Sequence, residues 1–183
     1  MPFPTQPAFV LHAQGWDANL LAHPMAAFLY AHEHVFDAKD FEGCRPFYHP
    51  DMTYIKGTGK VFSGHEAHTA THADYALFDK YFHEPSFGVI TENPDGGYRL
   101  FGSAKMFVNL PGPPVDDANK KFTDLQGRKW ECQGHGAFLF DVVKDEAGPQ
   151  GFRIKFFQIF ADPTAILGDA VKKGLMPAEA IIQ

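Results

Sequence analysis

Cysteine is scarce in this 183-residue chain: there are two, Cys44 and Cys132. Two thiols build no disulfide framework and no metal cluster, and both are expected to be reduced and largely buried. Positive charge is also short. Sixteen Lys and Arg face 22 Asp and Glu, a net charge of −6 with His neutral. That balance argues against nucleic acid or an anionic membrane as the main partner. There is no run of about eighteen apolar residues. The opening "MPFPTQPAFVLHAQGWDANLLAH" has two early prolines, no basic stretch and no sustained apolar core, unlike a signal peptide. A cytoplasmic location is the expectation. Also missing are G-x-S-x-G, a Walker loop, the dinucleotide-binding glycine fingerprint and a setting for a cysteine nucleophile. What is left is acid–base or electrostatic catalysis on a small apolar molecule, with no organic cofactor and no metal.

Phenylalanine is abundant, at 19 residues within an aromatic share of 15%. So many rings imply either a dense core or a cavity walled with aromatics, and composition does not choose. From Pro24 to Phe41, Met25, Phe28, Leu29, Val35 and Phe36 recur at helical spacing, with His32 in the stripe and Tyr30, Glu33, His34 and Asp37 on the opposite face. A short helix is expected over 42–49, followed by the strand "MTYIKG" and its hairpin partner "TGKVFSG". "GHEAHTATHADYALFDKYF" reads as a second long helix with Ala67, Ala70, Thr71, Leu77, Phe78 and Tyr81 inward. Strands follow at 86–93, 97–109, 129–144 and 151–161, then a helix in "ADPTAILGDAVKKG". The proline- and charge-rich loop over 110–129 is expected to be exposed and mobile. Helices first and long antiparallel strands last make an α+β pattern: one domain over 24–173, an arm over 1–23 and a tail over 174–183.

Several residues are candidates for chemistry. His32, centred on an apolar helix face, is either a core histidine satisfied by a backbone carbonyl or a pocket group. Lys56 shares a strand face with Met52 and Tyr54; it points into the interior or keeps its head in solvent, as edge lysines do. Asp37, at the end of its helix and facing away from His32, is more readily a surface residue than a pocket one. Gln158 shares a face with Ile154, Phe156 and Phe160, and an amide in that row needs a partner. His65, His68 and His72 have helical spacing, but no third metal ligand follows them, so a solvated polar face is the better reading. His135, opposite Phe138 and Phe140, is expected on the outer face of the sheet.

Three stretches carry a resemblance: "FDAKDFEGCRPFYHPDMTYI", "SGHEAH" and "FRIKFFQIFADP". In order and spacing the chain resembles the nuclear transport factor 2-like superfamily, specifically its SnoaL-like enzyme branch. The resemblance implies a cone, in which a curved mixed or antiparallel sheet wraps over three N-terminal helices around a pocket. It also implies a homo-oligomer, with a dimer favoured. Family enzymes include a steroid isomerase, polyketide cyclases, an epoxide hydrolase and the fungal dehydratase of melanin synthesis. The isomerase's oxyanion-binding tyrosine position falls on His32 and its general-base position on Lys56. The strand position that carries an acid or asparagine falls on Phe140. Asp37 coincides with an aspartate of the dehydratase, with Phe36 where a tyrosine precedes it. His83 is near one of the dehydratase's histidine positions, and the other falls near Leu110. Neither mechanism transfers intact.

The expectation is therefore a cofactor-free isomerase, cyclase or dehydratase acting on a small hydrophobic metabolite, with His32, Lys56 and Asp37 as catalytic candidates. Phe28, Phe36, Tyr54, Phe138, Phe140, Phe156, Gln158 and Phe160 would bind the substrate. A non-catalytic carrier using the same cone is the alternative, and a protein-interaction adaptor the third. Leu175, Met176, Ile181 and Ile182 of the tail form either a lid, a frayed terminus or a dimer contact.

Overall fold

The structure, a computed structural model, describes residues 8–12 and 15–181. Helix α1 (Ala18–Leu21) opens behind Asp17, whose side chain accepts the Leu20 N–H at 2.8 Å. Helix α2 (Pro24–Asp37) starts on His23, which accepts the Met25 N–H, with Pro24 in the first turn. A proline there costs no hydrogen bond. Met25, Phe28, Leu29, His32 and Phe36 form its buried stripe. Lys39, at φ 60°, turns the chain into α3 (Phe41–Cys44), capped by Asp40.

Strand β2 (Tyr48–Ile55) pairs with β3 (Val61–Ser63), and α4 runs over Gly64–Ala73. The helix expected to reach residue 82 stops nine residues earlier. Tyr75, Ala76 and Phe78 donate their N–H groups three residues back, to His72, Ala73 and Tyr75. The chain thus winds through tight turns, and Phe78 and Tyr81 reach the core from those turns and from a strand. Strand β4 (Lys80–Glu92) begins six residues before the sequence pattern placed it. It is followed by β5 (Tyr98–Asn109), β8 (Cys132–Lys144), β9 (Phe152–Ala161) and helix α5 (Thr164–Lys172). The N-terminal arm supplies an edge strand, β1 (Ala8–His12), paired with β4.

The main sheet has seven strands in the order β1-β4-β5-β8-β9-β2-β3, antiparallel except for the parallel β2–β9 pair. This curved mixed sheet closes over the helices, an α+β cone. Two bulges add to the bend, one between Pro85 and Phe87 of β4 and one in β9. In β9, Asp141 pairs with Phe156 while Val142 pairs with Ile154, so Lys155 is extra. One inserted residue exchanges the faces of everything beyond it. Ile154 is fully buried, but past the bulge Phe157 and Ile159 face inward. Phe156, Gln158 and Phe160, expected to bind substrate, lie on the outer side, and Phe160 is 46% exposed.

The 110–129 loop is pinned rather than loose. Its short strands β6 (Phe122–Thr123) and β7 (Lys129–Trp130) pair with each other, and Asp124 beside them is buried. That carboxylate accepts the Trp130 Nε1–H at 2.9 Å and the Arg128 Nε–H at 2.6 Å, besides two backbone N–H groups. Glu84, on the outer face of β4, accepts the Leu125 N–H at 2.8 Å, which ties the loop to the sheet. Leu175 and Met176 pack against the core cluster. The side chain of Ile181 and all of Ile182, named with them as a lid, lie outside the described residues. Among the described residues no helix is long and apolar enough to cross a membrane.

Candidate active site

Between α2, the sheet and α5 lies a cavity of about 480 Å³. Its existence is written in small residues. Gly88, Ala104, Gly134 and Gly136 line the strand wall, where larger side chains would fill the space. A Cβ on Gly134 would come within 3.0 Å of Ile166, and one on Gly88 within 3.1 Å of Leu100. Aromatic rings make up much of the rest of the wall. Phe36, Tyr54, Phe138, Phe140 and Phe157 line it, and the Phe140 and Phe157 rings stack at 4.3 Å, nearly parallel. Of the expected substrate-binding residues, Phe36, Tyr54, Phe138 and Phe140 thus lie on the cavity. Phe28 does not: it is wholly buried in the core against Phe47 and Phe152, at the centre of the α2 stripe where no lumen reaches.

His32 and Lys56 both border this cavity, each with its own partner. His32 is 3% exposed; its Nδ1 lies 3.1 Å from Glu33 Oε1 and its Nε2 3.0 Å from the Tyr48 hydroxyl. Lys56, 28% exposed, donates to Asp74 Oδ1 at 2.5 Å, and Tyr54 O–H donates to the same carboxylate at 3.3 Å. The strand face shared by Met52, Tyr54 and Lys56 does turn inward.

The sequence pattern placed Asp37 and Glu33 on the helix face away from His32, and the structure revises that placement. Both carboxylates turn toward β4. Asp37 Oδ1 lies 2.7 Å from His83 Nδ1 and Oδ2 accepts the His83 backbone N–H at 3.0 Å. Glu33 Oε2 lies 3.4 Å from the same Nδ1. His83 Nε2, the ring nitrogen away from the carboxylates, has the Tyr75 hydroxyl at 3.4 Å. His83 itself lines the cavity. The sequence reading reaches His83 only through its nearness to a family histidine position, because a helix ending at 82 and a strand starting at 86 leave it in a connection. A signal was present: Glu33 and Asp37 are one helical turn apart, so both carboxylates share a helix face.

Burial works against a charged His83 imidazole, but the Asp37 carboxylate, by proximity and hydrogen bonding, and then Glu33 outweigh it and push the pKa up to about 9. Burial likewise holds the Asp37 carboxyl above the ordinary aspartate value, against the pull of His83. With two donors on its oxygens at contact distance, the carboxylate is the form the geometry favours near neutrality, and we describe Asp37 and His83 as an ion pair. Glu33, Asp37 and His83 each place a ligand-type atom within 4.8 Å of the others. Because His83 Nδ1 holds a proton directed at the carboxylates, the imidazolium is already their counter-ion.

The His83 shift makes a stability prediction. Its folded pKa is raised, so the stabilisation is fully present below the unfolded value of 6.5 and lost as the pH rises through about 9. That gap corresponds to about 3 kcal/mol. Unfolding by denaturant between pH 6 and pH 10 is expected to show a loss on that scale, largely absent from His83→Gln. An equal loss in both proteins would exclude His83 as its source.

His68 and His72 also depart from the expected solvated face. His68 lies 3.1 Å from the His49 carbonyl, and His72 packs on Phe41 with ring centroids 4.3 Å apart. Burial pushes the His72 pKa down to about 4. His135 is exposed on the outer face, beside Gln133.

No protein-family model matches the chain, and no curated protein does. Solved structures do. Aln2 from a Streptomyces species is 18% identical, with a TM-score of 0.59 over 84% of this chain and 98% of its own. A scytalone dehydratase-like protein from Novosphingobium aromaticivorans is 11% identical, with a TM-score of 0.57 over 76% and 82%. A protein from Xanthomonas campestris described as a calcium/calmodulin-dependent protein kinase II association domain is 13% identical, with a TM-score of 0.59 over 84% and 97%. At these identities the likeness is one of architecture, and the architecture is the nuclear transport factor 2-like cone.

Proposed function

We propose that this protein is a cofactor-free acid–base enzyme, an isomerase, cyclase or dehydratase, acting on a small, largely apolar ring compound that carries a carbonyl or hydroxyl oxygen. One observation carries the reading: His83 stands in the wall of an aromatic-lined cavity with Nδ1 fixed by Asp37. Fixing that nitrogen leaves Nε2 as the atom that exchanges a proton with a ligand. An imidazolium held by a carboxylate is a general acid at neutral pH. In a dehydration, Nε2 gives its proton to the departing hydroxyl, and water leaves. The neutral ring then takes the proton from the neighbouring carbon, which restores the imidazolium. Lys56, braced by Asp74, supplies a second donor to a substrate oxygen, and the rings exclude water and stack the substrate.

That one solved neighbour is named for a dehydratase supports the reaction class, and the neighbour named for an association domain supports a homo-oligomer. Exposed Phe101 and Phe160 on the outer sheet face are consistent with such an assembly. The second reading, a carrier, draws on the same apolar walls.

Incubating the protein with a panel of cyclic β-hydroxy ketones and their unsaturated isomers, with absorbance and mass spectrometry as readouts, separates the two. An enzyme removes water or shifts a double bond faster than buffer does. Ligands that bind tightly and are recovered unchanged across the panel would replace the enzyme reading with the carrier.

A further inference from the structure

We propose that His32 is a positioning residue for His83, acting through Glu33: the chain Tyr48–His32–Glu33 holds the Glu33 carboxylate turned toward the His83 ring. This rests on the reading of His83 as the proton carrier of the cavity. It assigns His32 a place behind the chemistry rather than in it.

Geometry fixes the direction of the chain. Glu33 spans two imidazoles, with Oε1 at 3.1 Å from His32 Nδ1 and Oε2 at 3.4 Å from His83 Nδ1. A carboxylate only accepts, so His32 Nδ1 carries a proton whenever Glu33 is ionised. On the other side of the ring, the buried Tyr48 hydroxyl is 3.0 Å from Nε2. Burial pushes the Tyr48 pKa well up, so the phenol keeps its hydrogen. Phe47 and Phe36 flank the His32 ring, with centroids at 5.5 and 5.7 Å, and hold its orientation.

Glu33 needs this support. Burial by itself drives its carboxyl toward the neutral form; the hydrogen bond from His32 is the largest influence in the other direction, followed by the charges of His83 and His32. Remove the His32 donor, and Oε1 loses the contact that turns Oε2 toward His83. His83 then loses one of the two negative charges that face it. The other titratable neighbours do not replace it. Around His83 these are Asp37 from α2, Tyr75 from the turns after α4, and Tyr81 from its own strand; the residue opposite it on β5 is Met106. Around Glu33 and His32 they are Cys44, Tyr48, Tyr75 and Tyr81, kept neutral by burial, and His72, pulled down to about 4.

The test is an NMR titration of the His83 ring in the free, full-length protein, which needs no substrate. The wild-type midpoint is expected near 9. Glu33→Gln and His32→Phe should both lower it by about one pH unit, although His32 does not touch His83. His32→Asn, which returns an N–H near the Nδ1 position, should restore most of the difference. Combining Glu33→Gln with His32→Phe should add nothing beyond either alone. If Glu33→Gln lowers the midpoint and His32→Phe leaves it at the wild-type value, His32 is merely structural and the proposal falls. Should His32→Phe fail to fold, Tyr48→Phe decides: a lowered midpoint supports the chain, and an unchanged one overturns it. Absence of turnover in wild type would fail the enzyme reading while leaving this titration, and the coupling it reads, intact.

Discussion

Replacing His83 with glutamine is expected to lower turnover by about 100- to 10,000-fold, the range for losing a general acid or base. Glutamine keeps much of the volume and a hydrogen-bonding end, so the cavity wall survives while the exchangeable proton does not. The ring is held at Nδ1 by Asp37 at 2.7 Å, with Glu33 at 3.4 Å from the same nitrogen and the Tyr75 hydroxyl at 3.4 Å from Nε2. Orientation therefore depends first on the Asp37 carboxylate. Asp37→Asn should leave an active protein whose alkaline limb moves to lower pH, because a neutral amide no longer favours the imidazolium. Steady-state rates between pH 6 and pH 10, on whichever panel compound reacts, measure both effects. Wild-type activity should fall on the alkaline side near 9, where His83 loses its proton. A His83→Gln protein that keeps its full rate at pH 7 would remove His83 from the chemistry.

Phe28→Ala is expected to cost about 3–5 kcal/mol of stability. The ring is fully buried and packs at 5.5 Å from Phe47 and 6.0 Å from Phe152, so its removal empties the junction between α2 and the sheet. Partial collapse there is opposed by neighbours of both kinds, helix and strand. Phe160→Ala, on the exposed side of β9, should stay within about 0.5 kcal/mol for the isolated subunit. Urea unfolding of both variants, with the slope checked against wild type, makes the comparison. Similar losses at the two positions would mean that the bulge at Lys155 does not set the faces of β9 as described.

That pair of residues also shows where sequence reading succeeds. The α2 stripe, the inward face of Met52, Tyr54 and Lys56, and the succession of long strands follow from periodicities of 3.6 and 2, which local sterics impose. The cone itself comes from the resemblance of that order to a known family. What periodicity does not carry is the exception to itself. A single extra residue in β9 reverses Phe156, Gln158 and Phe160, and nothing in "FRIKFFQIFADP" marks Lys155 as the bulge. At the other failure, Leu77, Phe78 and Tyr81 fit a helical stripe as well as they fit turns and a strand. Tertiary contacts make the choice, and with the helix read to residue 82 His83 falls in a connection rather than on a strand. Asp37 was noticed for its place in the sequence, but its partner lies 46 residues away, a distance across which pattern alone is silent.

The parallel pairing of β2 with β9 has a consequence for how the molecule comes into being. His32, Glu33, Asp37, Lys56, Asp74 and His83 all lie in the first half of the chain, yet β9, between β8 and β2 in the sheet, comes near its end. During synthesis every one of these groups leaves the ribosome well before the strand that seats the β2–β3 hairpin. The hollow is thus among the last features to take shape, and a chain cut short before Phe152 would carry all of its chemistry with nothing to hold it together.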